Sequence, residues 1–103
     1  MTRPSATVSF RRDVERWSER LRVRPKVVQI RRMTQKWASC SAAGRVSFSR
    51  DLLRRERRFR EVVIVHELLH LRVRNHGKLF RGLMHAHVPG WERLLDGSPL
   101  SCR

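Results

Sequence analysis

Val62-Val63-Ile64-Val65-His66-Glu67-Leu68-Leu69-His70-Leu71 is the stretch on which the reading of this chain turns. Its apolar residues, with Phe59 before them and Val73 after, predict a mostly buried helix that Asn75 and Gly77 punctuate. Polar groups inside such a helix are expensive unless they have work to do. His66 and His70 stand four residues apart, so on a helix they share one face and can reach one ion. Glu67 follows the first His and can address a water at that ion. Zinc takes imidazole ligands and, in catalytic sites, keeps a position open. A carboxylate beside it acts as general base while the activated water attacks a carbonyl. His-Glu-x-x-His arises by chance in about 1 in 70 chains of this composition, so the motif needs its context. The bland alternative is two histidines and a glutamate on a solvated stripe.

A third ligand is required. His76 follows His70 by six, where Asn75 and Gly77 let the chain turn back. The spacing equals His-Glu-x-x-His-x-x-Gly-x-x-His of the metzincins, but Val73 occupies the Gly place, and a β-branched residue resists positive φ. Glu92, His85 and His87 are the rival ligands. His85 and His87 are only two apart on one predicted helix and so face different ways. Met84 mimics a Met-turn but falls in a helical apolar stripe and reads as core.

Outward from this stretch, Phe10, Val14, Trp17 and Leu21 predict an amphipathic first helix, capped by Thr7 or Ser9 and stopped by Pro25. Val27, Val28 and Ile30 predict one strand; Val46 and Phe48, alternating with polar neighbours, predict a half-buried second. The loop between them holds Trp37 and Cys40, so the two strands are expected to pair antiparallel. Leu52 and Leu53 open a short helix. Lys78–His87 reads as another helix, Pro89-Gly90 breaks it, and Trp91–Leu95 is a final helical turn or two. The order gives an α+β domain.

Composition narrows the function classes. The chain has 103 residues, room for a single domain over residues 1–103, with 40% hydrophobic and 32% charged residues, a globular balance. No apolar run approaches the roughly 18–20 residues of a membrane span, and no signal-peptide stretch opens the chain. Cys40 and Cys102 are too few for a disulfide scaffold. These features predict a cytoplasmic protein without a membrane partner. Lys plus Arg number 24 against 9 Asp plus Glu, a net charge of +15, and almost all the cations are Arg. Nucleic acid or another polyanion is therefore a possible partner, against the alternative of Arg merely filling solvated faces.

His66-Glu67-Leu68-Leu69-His70 followed by Asn75-His76-Gly77-Lys78-Leu79-Phe80 resembles the YgjP-like metallopeptidase family of metal-dependent hydrolases. Val88-Pro89-Gly90-Trp91 loosely matches that family's Met-Pro-x-Trp. Met33-Thr34-Gln35-Lys36-Trp37-Ala38-Ser39-Cys40-Ser41 resembles its Lys-x-x-Trp-Gly-Ser-Cys-Ser segment, with Ala38 in the Gly place, and Gly44–Ser49 resembles the strand that follows. The resemblance spans about residues 28–95. SprT-like DNA-repair proteases share the histidine plan but not the Trp-x-Ser-Cys segment.

The resemblance implies a small zincin-like domain: an N-terminal helix, a short antiparallel sheet or hairpin, an active-site helix and further C-terminal helices. It implies Zn2+ held by His66, His70 and His76, with Glu67 as general base and a peptide or protein substrate. The strand near Val46–Ser49 would lie beside the cleft. The β-rich N-terminal region usual in the family is largely replaced here by one helix, which leaves the cleft open or completed by another chain. Trp37 reads as a core or cleft-wall aromatic. Cys40 reads as a small buried residue or as a thiol near the metal, and Cys102 as an unpaired thiol. Two further readings compete with a zinc peptidase. One is a zinc-containing nucleic-acid-binding protein or a nucleotide or phosphate-ester hydrolase. The other is a non-catalytic relative, which an intact Glu67 argues against.

Overall fold

The computed structural model describes residues 5–95; Cys102 lies outside them. The first helix, α1, runs Ala6–Leu21 and buries Phe10, Val14, Trp17 and Leu21. Each such burial contributes about 1.5–3 kcal/mol. Ser5, not Thr7 or Ser9, is the cap: its hydroxyl accepts from the Val8 amide at 3.1 Å, two to four residues earlier than expected. The helix also stops before Pro25. Arg22 adopts a left-handed conformation (φ 55°), while its amide and that of Val23 return to the Glu19 and Ser18 carbonyls. This Schellman-type closure ends the helix without help from the proline.

Three strands follow: β1 (Val27–Arg31), β2 (Ala38–Cys40) and β3 (Arg45–Ser49). The sheet order is β1-β3-β2. The expected antiparallel pairing of the first and last of these is corrected: β1 and β3 run parallel, Val28 opposite Val46 and Ile30 opposite Phe48. The reason is β2, whose residues the sequence pattern places in the loop between the two strands. A tight turn over Ser41–Gly44 folds β2 back antiparallel on β3, Ser39 opposite Ser47. Gly44 closes that turn at φ 92°, a conformation glycine adopts freely. With β3's other edge left to β1, residues 32–44 become the crossover that a parallel pair requires.

β3 is therefore the central strand. Its alternating pattern suggested one wet face, yet Val46, Ser47, Phe48 and Ser49 are all buried. The serines are satisfied: Ser47 Oγ lies 3.3 Å from Gln29 Oε1, and Ser49 Oγ bonds the Met33 carbonyl at 3.2 Å. Ser49 also caps a 3-10 helix, Arg50–Arg54, by accepting from the Asp51 amide.

The remaining helices are α2 (Arg57–Leu69), α3 (Lys78–His87) and α4 (Trp91–Leu95). Every α2 residue from Val62 to Leu69 is buried, as an apolar-all-round helix demands. Phe48 meets Phe10 edge-to-face at 5.1 Å, joining sheet to α1. Arg58 bonds the Pro89 carbonyl, tying the start of α2 to the turn before α4. Among the described residues no helix is long and apolar enough to cross a membrane.

Candidate metal centre

The α-helical hydrogen bonding of α2 ends at Leu69, but His70 keeps right-handed helical dihedrals (φ −64°, ψ −14°). His66 and His70 thus remain on one face, ring centroids 4.8 Å apart. The chain then tightens: the Leu71, Arg72 and Val73 amides return to Leu68, Leu69 and Leu69. Val73 takes no positive φ, so the reversal that metzincins make with glycine is made here by tighter helical turns. Next, the Gly77 amide bonds Asn75 Oδ1 at 3.2 Å. This local turn sets His76 just ahead of α3 and swings its ring back over the helix.

The ligand atoms of His66, His70 and His76 all lie within 4.8 Å of one another. His70 is fully buried, His66 nearly so, and His76 partly exposed. His70 Nδ1 lies 3.0 Å from the Val73 carbonyl. A carbonyl only accepts, so Nδ1 carries the proton and Nε2 presents its lone pair. That lone pair faces His76 Nε2 at 3.1 Å. Two imidazole nitrogens so placed need a proton or a cation between them. Tetrahedral zinc, with Zn–N near 2.0–2.1 Å, gives an N···N edge of about 3.3 Å. The His70–His76 pair is close to that length, while the set as a whole, within 4.8 Å, is wider than a tetrahedral site. The donor chemistry therefore fits a zinc-type ion.

Electrostatics point the same way. Burial, then the nearby His66, lower the His70 pKa from 6.5 to about 4, against the opposing pull of Glu67 and the Val73 carbonyl. The His76 pKa is lowered by the same two causes. Both rings are held in the neutral form that binds metals. Glu67 is fully buried, its Oε2 2.9 Å from His66 Nδ1. With Nδ1–H donated to the carboxylate, His66 Nε2 is the nitrogen left for an ion.

A profile of the YgjP-like metallopeptidase domain matches residues 1–96. The chain belongs to the YgjP-like metallopeptidase family. Its fold is also that of a solved structure, the crystal structure of the metallopeptidase zymogen of Pyrococcus abyssi abylysin. The TM-score is 0.74 at 23% identity, over 85% of this chain and 90% of that one. At this identity the likeness is one of fold. Comparison with curated proteins found no match. Membership makes this chain a metallopeptidase-type hydrolase that works with a metal ion, and the three histidines can hold one.

The rival ligands of this YgjP-like domain lie elsewhere. Glu92 is exposed and pairs with Arg81 at 3.7 Å. His85 is exposed, and His87 stands edge-on to Trp17 at 6.2 Å. Met84 is core. Trp37 is half-buried and packs edge-on to Phe59 at 5.3 Å. Cys40 is buried on β2, its Sγ 3.7 Å from Arg74 Nη1, and is outside the histidine group.

Phe80, which belongs to the motif that carries the resemblance, has a structural part in the site that the sequence does not assign to it. Phe80 is fully buried and touches all three imidazoles: stacked on His70 at 4.5 Å and edge-on to His66 and His76 at 5.2 and 4.9 Å. It is the wall against which the rings are set. The available signal was its position four residues after His76, one helical turn further into α3.

Proposed function

We propose that this domain is a zinc-dependent peptidase in which His66, His70 and His76 hold the ion and Glu67 is the general base. The observation that carries the reading is the approach of His70 Nε2 to His76 Nε2 at 3.1 Å with no proton available from His70. Bound zinc would supply Lewis acidity at this point, bringing the pKa of a water to about 7. The Glu67 carboxylate takes the proton that water loses as it attacks the peptide carbonyl, then delivers it to the leaving amine. Its burial beside His66 keeps it where bulk water does not compete for it. The Val73 carbonyl fixes the His70 ring, and Phe80 limits rotation of all three.

The segment Val46–Ser49, expected beside the cleft, lies in β3, which is interior and has no open edge. On β2, Ala38 and Cys40 are buried and the Cys40 carbonyl accepts from Arg74 Nη2 at 3.4 Å, so the sheet offers no free edge here for strand addition and the peptide is bound by other surfaces beside the histidines.

Elemental analysis together with Glu67→Gln tests the reading. One zinc per chain is expected in both proteins, with hydrolysis of peptide substrates falling roughly 10²–10⁴-fold in the variant. Undiminished turnover in Glu67→Gln removes the base, and protein never exposed to chelator that carries no stoichiometric metal removes the site.

A further inference from the structure

The geometry points to a second binding site: a groove for the phosphates of a nucleic-acid backbone, built from Arg22, Arg24, Lys26 and Arg72. Three separate segments bring these cations together. They are the turn from α1 into β1, the turn after α2, and the β2–β3 hairpin at Ala43 and Gly44, which supplies backbone. No Asp or Glu lines this groove. The ion-paired carboxylates seen among the described residues serve other partners: Asp13 and Glu61 meet Arg16, and Glu92 meets Arg81. Four cations that line one groove with no carboxylate in its wall repel one another, which an anionic ligand relieves.

Two of the four cations, Arg72 and Lys26, are also held in place, which lowers the entropy lost on binding. Arg72 Nη1 bonds the Leu21 carbonyl at 3.0 Å. The Lys26 stem packs against Gly44, where a Cβ would come within 3.2 Å of Lys26 Cγ. Arg22 is the sole non-glycine residue with positive φ among the described residues. Helices that close in this way favour Gly or Asn at that position, so an arginine there runs against backbone preference. A charge needed in the groove accounts for it.

Phosphodiester is favoured over acidic protein because 21 of the 24 cations of the chain are Arg, whose planar fork matches phosphate oxygens in pairs. The excess charge beyond the groove suits a polymer rather than a single phosphate. The neighbouring groove along α1 shares Arg22 and Arg24 but also carries Glu15 and Glu19, so the phosphates are placed on the Lys26–Arg72 side.

Anisotropy of a labelled random-sequence 20-base-pair duplex, titrated with the full chain across salt concentrations, tests the site. Arg24→Gln/Lys26→Gln is expected to lower the log–log salt slope by about two and to weaken binding roughly 60-fold at 0.1 M salt. The control Arg54→Gln/Arg93→Gln removes two exposed charges elsewhere and should do far less. Arg22→Gly should weaken binding about 8-fold while the melting temperature holds or rises, since glycine suits the turn. Equal loss in the control, binding that does not vary with salt, or equally effective competition by inorganic phosphate or polyglutamate at matched charge would each overturn the proposal.

Discussion

His76→Ala separates metal binding from folding in a way the other two ligands cannot. His66 and His70 sit in the core, and their loss opens cavities beside Phe80. His76 is partly exposed and reached through a turn, so its truncation should cost the metal-free protein no more than about 1 kcal/mol, or about 5 °C. Its effect on the zinc-bound protein is larger. Free zinc at 100 times its dissociation constant stabilises a folded protein by about 2.7 kcal/mol. For 103 residues the unfolding entropy near 60 °C is roughly 0.22 kcal/mol/K, so wild type should melt about 12 °C higher with zinc than with chelator. Loss of a ligand should weaken affinity at least as much as the ~100-fold that loss of a ligand's supporting partner can cost. The same zinc concentration then adds only about 0.4 kcal/mol, close to 2 °C. Differential scanning fluorimetry in chelator and in buffered zinc measures both numbers. A variant that melts far lower in chelator yet keeps the full zinc shift would show that His76 packs and does not bind.

Two other outcomes follow from the same geometry. Metal-free protein should lose stability as pH falls. Above pH 6.5 both folded and unfolded chains hold these histidines neutral; below it the unfolded chain takes protons that folded His70 refuses until about pH 4, and His76 is shifted the same way. The unfolded state then binds more protons, so urea midpoints should drop between pH 6.5 and 4, and a flat profile there would refute the burial argument. Glu92→Ala should leave zinc stoichiometry unchanged and alter stability by at most about 1 kcal/mol, because its pair with Arg81 is a surface one. Loss of metal in that variant would restore Glu92 as a ligand.

The parts of this molecule legible in the sequence are those whose determinants are close together along the chain. His66, Glu67, His70, His76 and Phe80 span four turns of chain, and helix period plus the Asn75–Gly77 turn suffices to converge them. The four buried residues of α1 are legible for the same reason, as is Lys78–His87. Ends were less so. Ser5 caps α1 where Thr7 and Ser9 were candidates, because any of the three hydroxyls can satisfy an amide, and packing of Phe10 chooses the register. Arg22 in a left-handed turn was invisible, since the pattern of preferences argues for Gly or Asn at that place.

The sheet shows where local reasoning stops. Periodicity marked β1 and β3 but says nothing of direction, and a three-residue strand such as β2 is too short to carry a period. Its existence changes everything about its neighbours: it takes one edge of β3, forces β1 to the other, and turns an antiparallel expectation into a parallel pair. It also leaves β3 interior, so Val46–Ser49 presents no open edge. The side chain beside β2 is Arg74, which lies between His70 and His76 in the chain and bonds the Cys40 carbonyl. One short segment after α2 therefore holds the His70 ring through Val73, reaches β2 through Arg74 and delivers His76. The six-residue spacing of His70 and His76 is thus also the length of chain that carries Arg74 to β2.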